Sequence, residues 1–505
     1  MDRFRRQRWF FGAIRGRRRI GKTALVQQAL ATHREDHQVG RRCLMVQLPD
    51  STPADFAQVF RDAAFQSGLG GLIPKLNDVS TLPAIAGAIG SLCAKGVIVA
   101  LDEFQICLRG PLRALPSLLQ FQVDQLQDTE TEGGLIVLGS VQAEMNSLLQ
   151  DSRTPLFGRT TFNLNLGPWD LRTVFHVSDL HQADDPNRFL TLWTLFGGVP
   201  KFWRHFAEVE EVDRVPNWSD WAAEVCASLY LRTGAPLQQE GEMLLRHELR
   251  RTSLAILRVV AQRPRCSHAD FRRALPEVTT PGPYLKTLTG DLQLIRKDLP
   301  LLAGDGTRRA RYSVSDPFLR AWTAALQPAC MAARTRPTRE VTQLLIPRLS
   351  TLEGRAFEEL VHLAIEEVSR AGSTDFPVTA PIGGYWKRPR RGGEIEIDLI
   401  ARNDDTRRVR FGSCKRNPRE HDDDSLASFR RHVQRFLRTD EGRRFSDWDQ
   451  EWALYSPRFP SRQRDRLETA GWICRDLSDF RNRLGRSDAG ATGAFIVSEK
   501  VAGRD

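Results

Sequence analysis

A chain of 505 residues, 41% apolar and 27% charged, can hold three or four soluble domains of about 100–200 residues, each burying its own core. No run approaches the about 18 apolar residues of a membrane span, and the basic start, MDRFRRQRWFF, lacks the apolar centre of a signal peptide; the sequence predicts a cytoplasmic protein with no membrane partner. The formal charge of +11 suits an acidic partner or a solvated arginine face, and eight cysteines without a C-x-x-C pair argue against a zinc site or a disulfide framework and predict reduced core residues.

The first element, WFFGAI, reads as a short buried strand, and KTALVQQALATH has apolar residues at helical intervals. Between them, Gly16, Gly21, Lys22 and Thr23 fit G-x-x-x-x-G-K-[ST], a loop whose small residues let backbone N–H groups turn inward around a phosphate at a helix N-terminus. Arg17, Arg18 and Arg19 alone would suit a strip tracking nucleic-acid phosphates; the glycine spacing and the flanks favour a nucleotide. A phosphate loop needs a second strand ending in an acid. GVIVALDEFQ supplies it: Val97–Leu101 are apolar, Asp102 would order Mg2+ with Thr23, and Glu103 would polarise the attacking water.

A third strand, GGLIVLGS, ends at Ser140, whose hydroxyl could sense a γ-phosphate or simply cap the next helix. In TPLFGRTT, Arg159 is a candidate arginine finger, acting in its own subunit or a neighbour, or a plain surface arginine. LFGGVPKFWRH, with Pro200 and Lys201, suits a lid over the nucleotide.

From Thr252 to Trp322, TSLAILRVVAQ, SHADFRRAL and TPGPYLKTLTGDLQLI read as three short helices, followed by a Gly-Asp-Gly turn between two strand-like pieces. This pattern predicts a winged helix. Its third helix would offer Tyr284, Lys286, Thr287 and Gln293 to a groove, with Arg308, Arg309 and Arg311 on the backbone of duplex DNA; packing against protein is an equally good reading.

After a basic linker, ARTRPTREVTQ, a helix carries Glu358 and Glu359, and GGEIEIDLIAR follows as a strand with Glu394, Glu396 and Asp398 on one face. An acid on one strand with an acid-x-lysine on the next is the arrangement of restriction-endonuclease-like nucleases. Asp398 and Lys415 fit it, but the expected second acid is Ser413, whose neutral hydroxyl should lower metal affinity; Glu396 or Glu359 could compensate. The C-terminal GRSDAGATGAF reads as the start of a flexible tail.

GRRRIGKT, LDEFQ, GS with PLFGR, GGVPK and YSVSDPFLRAW resemble, in this order, a family of archaeal and bacterial AAA-like ATPases related to the signal-transducing STAND class, over about Phe10 to Lys415. The resemblance implies an ATP-binding core, a helical lid, a winged helix and a restriction-endonuclease-like domain. The chain departs from the family in beginning almost on the first strand, where a helix and a GR-x-x-E segment are expected: the start is trimmed, or the adenine side is built differently.

The expected fold is thus α/β: a P-loop NTPase parallel sheet (1–165), a helical lid (166–245), a winged helix (246–330), a restriction-endonuclease-like α/β domain (338–485) and a tail (486–505). The function expected is an ATP- and Mg2+-dependent switch with a protein partner or duplex DNA, able to form oligomers. A DNA-binding module with an incidental ATPase and an ATP-gated metal-dependent nuclease are the alternatives.

Overall fold

The computed structural model describes residues 9–35, 42–181, 183–209, 215–246, 251–263, 265–304, 309–388 and 393–485. Arg308 and the C-terminal tail lie outside them. The described residues fall into two compact units, one within 9–168 with 199–201, the other within 169–198 and 202–485.

The first unit is built on five parallel strands: β1 (Phe10–Arg15), β2 (Cys43–Gln47), β3 (Ile98–Asp102), β4 (Gly134–Gly139) and β5 (Phe162–Asn165). Their spatial order is β2-β3-β4-β1-β5. Every residue of β1, β3 and β4 is buried, as expected of central parallel strands covered on both faces. Alternation divides their side chains between two cores. Phe11, Ala13, Val99, Leu101, Leu135 and Val137 enter the larger one. Phe10, Ile14, Ile98, Ala100, Ile136 and Leu138 meet Val26 and Leu30 of helix α1 (Lys22–Glu35) on the other face. The order places β4 between β1 and β3, so the turn after β1 and the acids ending β3 both stand at the carboxyl edge of the sheet.

The second unit opens with helices packed through aromatic side chains. Phe196 meets Trp203 edge-on at 5.7 Å, and Phe202 lies 4.2 Å from Phe318. Helices Arg251–Gln262, His268–Ala274 and Gly282–Lys286 follow; the second begins with a Ser267–Asp270 capping box. Strands β6 (Ile295–Asp298) and β7 (Arg311–Val314) then pair antiparallel, and Cys266 bridges to Tyr312.

The expected linker is helical only at its ends: Ala333 closes helix Gln327–Ala333, 334–337 form a turn, and 338–343 are helical. A single helix of 33 residues runs from Thr338 to Arg370, through Pro347. Its buried Val341, Leu345, Leu349, Ala356, Leu360 and Ala364 continue one apolar stripe, and that burial outweighs the donor lost at proline. Beyond it, β8 (Gly383–Lys387), β9 (Ile395–Asn403), β10 (Arg408–Cys414), β11 (Asp449–Tyr455) and β12 (Ile473–Arg475) form a mixed sheet, antiparallel from β8 to β10 and parallel from β10 to β12. All eight cysteines are free and six are buried. Among the described residues, no helix is long and apolar enough to cross a membrane.

Candidate functional site

The loop between β1 and α1 is shaped by its glycines. A Cβ on Gly16 would stand 2.4 Å from the Leu166 carbonyl oxygen, so only glycine lets the chain leave β1 there. Gly21 at φ +91° and Arg19 at φ 72° take left-handed backbone, the kind of turn that lets successive N–H groups converge on an anion. Lys22, 7% exposed, donates from Nζ to the carbonyls of Gly16 at 2.9 Å and Arg17 at 3.1 Å. Burial lowers its pKa, against the opposing charges of Asp102 and Glu103.

Thr23 Oγ1 donates to Asp102 Oδ2 at 2.6 Å, and the Glu103 amide donates to Asp102 Oδ1 at 2.8 Å, so both carboxylate oxygens are oriented. A hydroxyl and a carboxylate oxygen in contact form a hard-oxygen pair suited to Mg2+. The residues present therefore fit the metal that the loop implies.

Glu103 turns sharply off β3 with φ 56° and ψ 37°, a left-handed conformation that costs a non-glycine residue about 1 kcal/mol or more. The turn brings its carboxylate to Ser140 at the end of β4: Ser140 Oγ donates to Glu103 Oε2 at 3.0 Å. Gln105 closes this arrangement. Its Nε2 donates to the same Glu103 oxygen and to Ser140 Oγ at 3.1 Å, while its Oε1 accepts from the Ser140 amide at 3.2 Å. Sequence reasoning missed Gln105; a lone amide within the apolar run FQICL, directly after the acid pair, was the available signal. It also missed Arg15, the last residue of β1, which is buried and donates to Asn146 Oδ1.

Arg159 is held elsewhere. Its Nε and Nη2 meet Asp124 Oδ1 and Oδ2 at 2.6 and 3.0 Å, and Nη1 donates to the carbonyls of Pro155 and Phe157. Lys22, Thr23, Asp102, Glu103 and Ser140 are linked at the sheet edge, whereas Arg159 is tied to its own loop and to helix Leu115–Leu126.

In the second unit, β9 alternates as its sequence predicts, with Ile395 and Ile397 buried and Glu396 and Asp398 on the other face. Asp398 accepts from the Cys414 amide at 2.9 Å and lies 3.5 Å from Ser413 Oγ. Burial raises its pKa, against that amide and the Lys415 charge. The other acids are engaged by arginines. Glu396 meets Arg265 at 3.0 Å and Arg311 at 3.5 Å, and Glu358 also pairs with Arg265. Glu359 is surrounded by Arg296 at 2.5 Å, Arg320 at 2.9 Å and Arg355 at 3.2 Å. Burial opposes its ionisation, yet these guanidiniums hold its carboxyl well below the usual range. Among the described residues, no group of three or more His, Cys, Asp or Glu side chains is placed to hold a metal ion.

Arg309 and Arg311, expected on a DNA backbone, point to carboxylates instead: Arg309 Nη2 lies 2.8 Å from Glu441, and Arg311 reaches Glu394 and Glu396.

Strand order, glycine loop and acid pair define the first unit as a P-loop nucleoside triphosphatase fold. Residues 322–425 match DUF234, a family described as archaeal and bacterial proteins of unknown function. The uncharacterized protein MJECL04 of Methanocaldococcus jannaschii is 25% identical over 329 residues, 64% of this chain and 68% of its own. Among solved structures, the Walker-type ATPase PABY2304 of Pyrococcus abyssi is similar at 19% identity, with a TM-score of 0.46 over 62% of this chain and 90% of that one. The Aeropyrum pernix ORC2 protein, solved in ADPNP–ADP complexes, is similar at 14% identity, with a TM-score of 0.42 over 68% and 88%.

Proposed function

We propose that this chain binds Mg-ATP through Gly16, Gly21, Lys22, Thr23 and Asp102, hydrolyses it with Glu103, and uses the nucleotide state as a switch. The observation that carries this reading is the Thr23–Asp102 contact at 2.6 Å beside a buried lysine folded onto its own loop. A β,γ-phosphate entering the loop would exchange the carbonyl partners of Lys22 for charged oxygens. Thr23 and Asp102 would hold Mg2+, which supplies charge neutralisation on the phosphates. Glu103, directed by Ser140 and Gln105, would orient the attacking water, and Ser140 would report the γ-phosphate. Slow turnover is compatible with this role, because a switch needs only different contacts in its ATP and ADP states.

Residues 166–245 serve in this reading as a lid. Residues 246–330 form a winged helix, supported by the three-helix order followed by β6 and β7. The engagement of Arg309 and Arg311 by Glu441, Glu394 and Glu396 favours a protein-packing role for that segment over contact with duplex DNA. Residues 338–485 are a restriction-endonuclease-like domain, supported by the mixed sheet with Asp398 on β9 and Lys415 just past β10. Ser413 in place of an acid leaves its metal-dependent chemistry weak or lost. Cytoplasmic location and assembly with protein partners or further copies complete the proposal.

The deciding experiment compares Lys22→Ala with Glu103→Gln on the purified chain. Lys22→Ala should lose ATP binding; Glu103→Gln should retain ATP and turn over poorly. Equal loss of binding in both would overturn the assignment of Glu103.

A further inference from the structure

The second unit contains a cleft of about 860 Å3 that the nucleotide site does not use. Arg296, Asp298, Arg320, Arg355, Glu359 and His362 are among the residues lining it. Its charges do not balance locally. Arg296 spans two acids, with Nε 2.8 Å from Asp298 and Nη2 2.5 Å from Glu359. Arg320 reaches both Glu359 oxygens through Nη1 alone, at 2.9 Å. Arg355 meets Glu359 at 3.2 Å and lies 3.7 Å from Asp298. Three guanidiniums therefore share two carboxylates, and His362 adds no charge at neutral pH, since burial pushes it down to about 4.

Arg320 is 3% exposed, and among the described residues its Nε and Nη2 meet no acceptor. A buried guanidinium with two unsatisfied nitrogens is costly by itself and becomes favourable when an anion reaches it. The crowding has a second mark: burial first, with the neighbouring Arg320 and Arg296 charges opposing Glu359 and Asp298, brings Arg355 down to about 10. Glu359 already fills one approach as a planar acceptor, so the remaining donors suit an oxyanion with acceptors in several directions, and guanidinium forks match phosphate in this way. The volume falls within the range of about 300–1,000 Å3 typical of ligand clefts, larger than a bare phosphate requires.

We propose that this cleft is a phosphate-binding site, with Arg296, Arg320 and Arg355 as donors, distinct from the Gly16–Thr23 loop. The phosphate comes from a free phosphate or mononucleotide, or from a nucleic-acid strand. The site does not depend on ATP hydrolysis by the first unit.

The test uses the full chain carrying Lys22→Ala, which silences the phosphate loop, titrated calorimetrically with pyrophosphate, AMP and a 5′-phosphorylated oligonucleotide. Binding that falls at least about tenfold in Arg296→Gln supports the site. Response to pyrophosphate or AMP identifies a free phosphate as the source; response to the oligonucleotide alone identifies a strand. Arg320→Met should act in the same direction, and Arg296→Gln, at a 43% exposed side chain, keeps the test valid if the buried variant fails to fold. Glu359→Gln, which removes the competing carboxylate, should tighten binding. No binding by any probe, or binding unchanged in Arg296→Gln, would overturn the proposal. ATP hydrolysis by the chain with Lys22 intact should be unaffected by Arg296→Gln, which separates this result from the fate of the ATPase reading.

Discussion

Thr23 Oγ1 and Asp102 Oδ2, 79 residues apart in sequence, meet at 2.6 Å and join the phosphate loop to the acid that ends β3. In the proposed mechanism the same two oxygens hold Mg2+. Thr23→Val should lower ATP affinity about tenfold in the presence of Mg2+ and little in its absence, because the lysine and the loop amides remain. Nucleotide titrations with Mg2+ and with EDTA distinguish the two conditions; equal weakening in both would show that Thr23 acts through loop structure alone.

Gln105 contacts both Glu103 and Ser140, so it is expected to act as a positioning residue. Glu103→Gln should reduce turnover by about 10²–10⁴ with ATP still bound. Gln105→Leu should lower kcat while leaving KM within about twofold, since it removes the group directing Glu103 and touches none of the loop. A parallel rise in KM would instead indicate collapse of the β3–β4 edge.

The bidentate Arg159–Asp124 pair lies at the surface, with side chains 26% and 43% exposed. Its loss should cost at most about 1 kcal/mol, so Arg159→Ala should melt close to the natural protein. If Arg159 serves a neighbouring subunit, it must leave Asp124 to do so. Arg159→Ala should then turn over slowly with ATP affinity preserved, and addition of Lys22→Ala chains should restore part of the rate. No restoration at any mixing ratio would argue for action of Arg159 within its own chain or for none.

Glu367 accepts from the Leu171 amide at 2.9 and 3.1 Å, yet burial, followed by the Asp170 charge, pushes its pKa from 4.5 up to about 7, against the Leu171 and Arg172 amides and the Arg370 charge. A carboxyl whose folded pKa is raised binds more protons folded than unfolded between those values. Its contribution to stability is therefore present below about 4.5 and is lost as pH rises toward about 7. Glu367→Gln, neutral throughout, should flatten that part of the stability profile measured by denaturant unfolding; an unchanged slope would exclude Glu367 as its source.

Ser413 Oγ lies 3.5 Å from Asp398 Oδ2, close enough for a longer acid to share a cation with it. The natural protein should show little or no Mg2+-dependent cleavage of DNA, and Ser413→Glu should show a detectable gain in Mg2+ or Mn2+ binding by calorimetry. Robust cleavage by the natural chain, abolished by Asp398→Ala, would restore the nuclease reading.

The sequence by itself determined the parts of this protein that depend on neighbours along the chain. Glycine spacing marked the loop, because the left-handed turn at Gly21 is open to a residue without a Cβ, although the need for glycine at position 16 comes from the distant Leu166 carbonyl. Continuous apolar runs marked β1, β3 and β4, and alternation placed Glu396 and Asp398 on one face of β9. Tertiary structure decided the partners of the charged and polar groups. Nothing local tells Gln105 to reach Ser140 across 35 residues, Arg159 to choose Asp124, or Arg320 and Arg296 to converge on Glu359 from 39 and 63 residues away. The same applies to the end of the expected linker, where 338–343 joined a helix whose buried stripe extends to Leu360 and Ala364 and carries it through Pro347. Short-range sterics and periodicity are written in consecutive residues, whereas a long side chain pairs with whatever charge the folded chain brings within its reach.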